Sequence, residues 1–348
     1  MSTIAALLVA VLSSQAVPPS TADTMQSDVD RLVRAAEQMT GTWPLGPPPP
    51  VSEIDLVTRH GRRVVPLLVT LLLDDPDVAD RKRWKVAQQA TLALCRIYSE
   101  SQQCGRTYCD ADVPERIARV KEGWLRLIAS DAELRALPSK ELLNRFRQEG
   151  VFWRQSQMGT ALAATGDRDI VAALAPWLTH EDRHIRGNVA LVLGRLGDPR
   201  GFATIAEILA DRSERPFGQG HPAGRWSVHA QVRADRYYAA HLLGDLKDPR
   251  GVELLIPLLN DPDTDNIVPW ALAEIGDRRA IAALITHLER NDPSARVMAI
   301  YALERLNAYE ALPKLFELQQ DNRKANFGQL TSVAEAAKRA IAMISAQR

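Results

Sequence analysis

The side chains with chemistry to offer concentrate between Arg212 and Arg236, in RSERPFGQGHPAGRWSVHAQVRADR. Five arginines there face only Glu214 and Asp235, a net charge of +3, and Phe217, Trp226, His221 and His229 accompany them. Forked guanidinium donors beside large rings suit a carboxylate-bearing partner better than lysines do. Arg225, Trp226 and Arg233, with Tyr237 just beyond and Arg186 upstream, form the expected binding set. His221, His229, His241 and Asp235 are metal-ligating types, but their spacing has no recognisable form. Gly218, Gly220, Pro222 and Gly224 mark the stretch as a loop. Two roles stay open for it: a functional insertion, or one whose aromatics pack on neighbouring structure.

Elsewhere the chemistry is sparse. Cys104 and Cys109 lie in the polar run QQCGRTYCDAD, with Cys95 before it. In an oxidising compartment Cys104 and Cys109 are spaced to pair across a small loop, leaving Cys95 over. A zinc site needs further ligands that are not near in sequence. No phosphate-cradling loop, nucleophile elbow or cofactor signature is present, so no cofactor is expected.

The elements that position these residues come from a recurring unit. Gly-Asp turns begin at Gly166, Gly197 and Gly276, with the related turns KDPRG at Lys247 and RLNAYEA at Arg305. Ile170, Ala173, Leu174 and Trp177 share one helical face after the first turn. Asn188–Leu196 is apolar on nearly every side, as a helix buried between neighbours is. Gly197 suits the left-handed position that closes a helix, and Asp198-Pro199 caps and starts the next. The turns recur at 31, 29 and 31 residues, except for 50 between Gly197 and Lys247, where the insertion lies. Short helix pairs bury an apolar face only by stacking, which predicts an all-α solenoid.

At Leu193-Gly194 with Gly197-Asp198, Leu243-Gly244 with Asp248, and Leu272-Ala273 with Gly276-Asp277, the chain resembles HEAT-like repeats of the phycobilisome-lyase type. The resemblance runs from about Val151 to Arg348, with a further unit from Gly61. It implies a right-handed α-solenoid of stacked two-helix HEAT-like repeats. It also implies an interaction scaffold whose second helices line a concave face, where Trp153, Arg154, Arg186, Arg233, Tyr237 and Arg296 fall near helix starts. Some relatives are enzymes. Deoxyhypusine hydroxylase holds di-iron with His-Glu pairs, but the matching positions here are Gly187-Asn188, Tyr237-Tyr238, Asn266-Ile267, Ser156-Gln157 and Val297-Met298. His180-Glu181 falls instead in a turn between two helices. Bilin lyases attach a tetrapyrrole in the cytoplasm, and no residue marks that activity.

Lys+Arg and Asp+Glu are equal at 43 each, which argues against a general nucleic-acid binder. No apolar run reaches the length of a transmembrane helix. Ile4–Leu12 followed by Ser14-Gln15-Ala16 has the form of a signal peptide, residues 1–16, although no Lys or Arg precedes its apolar core. Residues 17–50 follow as an N-terminal helix from Ser27 to Met39 and a proline-rich linker. Residues 51–150 are divergent repeats with the cysteine loop, and 151–348 the regular array with its insertion at about 212–236. The expected role is an exported, periplasmic or extracellular scaffold for a protein partner. It is cytoplasmic if the N-terminal segment is not a signal. The alternative is an enzyme or ligand- or metal-binding accessory built on the insertion.

Overall fold

The structure, a computed structural model, describes residues 19–39, 51–73, 80–98, 114–214, 228–326 and 332–346. Every regular element among them is a helix, and one isolated bridge pairs Lys324 with Ser332. The expected signal peptide, the prolines of residues 41–50, and Cys104 and Cys109 lie outside the described residues. The chain forms two compact units that meet in sequence between Ala136 and Leu137.

The first unit holds α1 (Pro19–Gln38), α2 (Glu53–Thr58), α3 (Val65–Thr70), α4 (Arg81–Ile97) and α5 (Pro114–Ala136). Leu32, Ile54, Leu68, Leu94 and Trp124 are its fully buried centre. α1 is already helical at Pro19, so Ser27 lies inside it and is not its cap. Asp80 caps α4 by accepting from the backbone N–H groups of Lys82 and Arg83. Cys95, the thiol expected to be left over, is in a disulfide.

The second unit is an α-solenoid of helix pairs. Its first helices are α6 (Ser139–Gln148), α8 (Asp169–Leu174), α10 (Pro199–Ala210), α12 (Gly251–Leu255), α14 (Ile281–His287) and α16 (Leu312–Leu318). Its second helices are α7 (Phe152–Ala164), α9 (Arg183–Arg195), α11 (Val228–Leu246), α13 (Val268–Ile275), α15 (Pro293–Arg305) and α17 (Val333–Ala346). Consecutive second helices pack on each other from α7 through α17. The unit starts before Val151 because α6 packs on α7.

The turns explain the repeat. Gly166, Gly197, Lys247, Gly276 and Asn307 all have positive φ, at 68°, 84°, 57°, 76° and 48°. Each reverses the chain after a second helix, as left-handed C′ residues do. Asp167, Asp198, Asp248 and Asp277 follow, and each accepts the backbone N–H two residues on. Arg200, Arg250 and Arg279 then fold back onto the same carboxylates. The glycine of GDPRG at Gly201 serves close approach: a Cβ there would sit 2.3 Å from the Ala190 carbonyl oxygen.

Three boundaries depart from the sequence pattern. The apolar face of Ile170–Leu178 is an α-turn that tightens to a 3₁₀ segment, Ala175–Thr179, because Pro176 cannot donate its N–H. Pro257 does the same in Ile256–Asn260. α9 begins at Arg183, where Asp182 caps it, rather than at Asn188. α11 begins at Val228, so Val228–Arg236 of the expected insertion is helix.

Candidate binding surface

The starts of the second helices are charged, and most of that charge is engaged inside the stack. In α9 the Arg183 side chain, 2% exposed, donates to Asp211 at 2.7 Å, Asp235 at 3.0 Å and the Ser213 carbonyl at 2.7 Å. Asp235 also lies 3.0 Å from Nδ1 of His184 and accepts from Gln231 at 2.7 Å. Burial would raise the Asp235 carboxyl, but His184, Arg183 and Gln231 outweigh it and hold it below the ordinary range. Arg236 in α11 binds Asp261 and Asp263, each at 2.7 Å, and the Leu209 carbonyl at 2.9 Å. The Arg236 guanidinium draws Asp261 down to about 2.

These pairs follow one rule of position. Asp211, Asp261, Arg290 and Asp321 each stand fourteen residues after a left-handed turn residue. Arg186, Arg236, Asp265 and Arg296 each stand eleven residues before the next one. Arg236 reaches forward to Asp261 and Arg296 to Asp321 at 2.6 Å. Between α13 and α15 the signs are exchanged, and Arg290 donates back to Asp265 at 3.1 Å. Only at α9 does a different residue, Arg183, take the aspartate.

A row of rings crosses the same helices. Phe152 lies 5.4 Å from Trp153, 4.4 Å from His184 and 5.4 Å from Tyr238. His184 and Tyr238 are stacked at 4.9 Å, and the Tyr238 hydroxyl donates to Asn188 Oδ1. Phe152 thus joins α7 to α11 across the start of α9. Trp153, 41% exposed, and Tyr237, 38% exposed, flank this buried centre. Arg154 and Arg233 are exposed beside them on the same two helices. Neither has a charge partner among the described residues.

The expected set is therefore divided. Arg233 and Tyr237 are exposed on α11. Arg186 is buried, and its Nη1 donates to the His180 carbonyl at 3.2 Å, so it serves the repeat rather than an open surface. Arg296 is taken by Asp321. Arg225 and Trp226 lie outside the described residues, as do His221 and the side chain of His229. Asp235 is committed to Arg183 and His184, and among the described residues no three His, Cys, Asp or Glu side chains converge as a metal site would require. His180 and Glu181 do sit between two helices, and His180 Nδ1 accepts from the Asp182 N–H at 3.0 Å. The sequence pattern missed Arg183, His184 and Phe152. Asp211, fourteen residues after Gly197, was the available signal for the first.

Helix pairs, left-handed turns and a ladder of Arg–Asp pairs together define a stacked-repeat protein. Residues 140–217 match the model for HEAT repeats, and residues 235–261 and 270–290 match that for the PBS lyase HEAT-like repeat. The second unit is thus an array of HEAT-like repeats, of which residues 235–261 and 270–290 match the phycobilisome-lyase type. Among curated proteins the chain is 35% identical over 147 residues to the bilin biosynthesis protein PecE of Mastigocladus laminosus, covering 41% of this chain and 50% of that one. It is 31% identical over 141 residues to PecE of Nostoc sp., covering 40% and 51%. The chain thus spans about half the length of the curated relatives it matches.

Proposed function

We propose that the protein is an exported scaffold that binds an acidic segment of a partner protein across the start of α7 and the exposed face of α11 that carries Arg233 and Tyr237. The observation that carries this is that Arg154 and Arg233, without a charge partner among the described residues, stand beside exposed Trp153 and Tyr237 on two helices that Phe152 links through its contacts with Trp153 and Tyr238. Arginine and large rings are the residues that anchor interfaces. Near the starts of other second helices Arg183, Arg236 and Arg296 are engaged by carboxylates within the stack. The Cys95 disulfide and the N-terminal small-x-small site support an oxidising, extracytoplasmic location.

The test is affinity capture from an envelope extract with the native chain and with Arg154→Glu/Arg233→Glu. The expected result is a partner whose recovery falls at least about tenfold in the charge-reversed protein and declines with salt. Equal recovery on a variant of unchanged circular dichroism would reject the surface. An intact N-terminus by mass spectrometry on protein from the cytosolic fraction would reject export. The relatives named for bilin biosynthesis supply a second reading, in which the solenoid handles a linear tetrapyrrole. A shift of the visible absorption band on mixing bilin with the protein would favour it.

A further inference from the structure

Eleven residues after each left-handed turn residue the chain carries Trp177, Ile208, Leu258, His287 and Leu318. His287 thus puts an imidazole where the other repeats put an apolar side chain. It is buried, and neither ring nitrogen has a hydrogen-bond partner among the described residues. An imidazole in that state is poorly placed to carry a charge. The charged groups that act on it are Arg290 and Asp292, from the turn into α15, and Asp265, from the turn before α13. Asp292 is engaged as the cap of α15, accepting from the Ser294 and Ala295 N–H groups. Arg290 ties the turn to the preceding repeat, donating to Asp265 at 3.1 Å and to the Leu259 carbonyl at 3.2 Å. Both members of that pair are partly solvated. Arg323, from the following turn, holds Asn291, and Glu289 is exposed.

We propose that the turn formed by residues 288–291 is an acid-released latch: protonation of His287 breaks the hold of Arg290 on Asp265 and Leu259 and frees the turn from the preceding repeat. The proposal is independent of the binding surface above. An imidazolium at this place stands beside a guanidinium and needs an acceptor. Asp265 is the carboxylate it can take, because Asp292 is occupied by the helix cap. Arg290 then turns to water, and a partly solvated pair resists that little. Burial, aided by Arg290, holds the imidazole below its ordinary pKa. The closed form is therefore complete above about pH 6.5 and weakens as pH falls towards 4. Asp235, Asp261 and Asp321 are all lowered by their partners, so those charge pairs persist through the same window.

Amide hydrogen exchange of the full chain at pH 7 and pH 4.5, corrected for intrinsic rates and repeated in dilute urea, tests the latch. Peptides from residues 281–296 should lose protection at least about tenfold at the lower pH. Their exchange should depend little on urea, as a local opening does, whereas core amides of α9 follow the slope of global unfolding. Unchanged protection overturns the proposal. So does a urea slope in 281–296 equal to the global one, since the proton would then be taken up only on unfolding. His287→Leu supplies the residue found at Leu258 and Leu318, and the acid-dependent loss should vanish in it. A loss that persists overturns the proposal. Arg290→Met removes the tie directly, so the same peptides should lose about fivefold already at pH 7. Full protection in that variant overturns the latch whatever the fate of the leucine variant.

Discussion

Two joints of the solenoid solve the same problem with different residues. Between α9 and α10 the charge is supplied by Arg183, one helical turn ahead of the ladder position held by Arg186. Between α13 and the turn before α15 the ladder position is Asp265, and the arginine comes from the opposite side as Arg290. The first joint is dry: Arg183 is 2% and Asp235 3% exposed, with Asp211 at 17%. The second is wet, with Arg290 31% and Asp265 23% exposed. The repeat thus fixes where a charge pair must stand and leaves its sign and depth free. The deep version also draws in His184 and Asp235, which couples α9 to α11 beneath the exposed Trp153 and Tyr237.

The largest expected effect comes from breaking the dry joint. Arg183→Met leaves Asp211 and Asp235 without their cation, and removing one partner of a buried pair costs about 3–5 kcal/mol. Arg290→Met removes a partly solvated pair and one carbonyl contact, for which about 1 kcal/mol is expected. Urea unfolding of both variants measures the difference. Equal losses would show that depth does not distinguish the joints.

Acid separates the charge pairs from a second buried group. His287, at the end of α14, is 3% exposed, and neither ring nitrogen has a hydrogen-bond partner among the described residues. Burial, aided by Arg290 and opposed by Asp265 and Asp292, lowers its pKa from 6.5 to about 4. Between those values the unfolded chain binds the extra proton. The contribution is therefore complete above pH 6.5 and is lost as pH falls towards 4. Asp261, lowered from 3.8 to about 2, contributes stability present above 3.8 and lost only below it. Urea midpoints of the native chain should fall between pH 7 and 4.5, and His287→Leu should flatten that slope. An unchanged slope in the variant would assign the titration elsewhere.

The fold was legible because its signals are local. The left-handed turn needs a residue that tolerates positive φ, and Gly197-Asp198-Pro199 writes both the end of one helix and the start of the next. The site was only half legible, because exposure depends on neighbours distant in sequence. Arg186 and Arg233 are alike as letters, yet one lies inside the α7–α9–α11 contact and the other outside it. Phe152 gave no signal of joining α7 to α11, since its partners His184 and Tyr238 lie in other repeats. The proline kinks at Pro176 and Pro257 were local signals hidden within a good apolar pattern.

The smallest expected effect tests the turn itself, and it is a gain. Lys247 holds φ at 57° where three of the other four turns have glycine and one has asparagine. A side chain with a Cβ loses about 1 kcal/mol in the left-handed region relative to glycine. Its ammonium compensates little, being 49% exposed and 3.9 Å from Glu274. Glycine adds freedom to the unfolded chain, which offsets part of the relief. Lys247→Gly should therefore stabilise the protein by about 0.5 kcal/mol, read as a higher urea midpoint at unchanged slope. The mirror substitution Gly197→Lys, at φ 84°, should lose about 1 kcal/mol. A loss in Lys247→Gly would mean that the Lys247 side chain, and not the backbone angle, stabilises that turn.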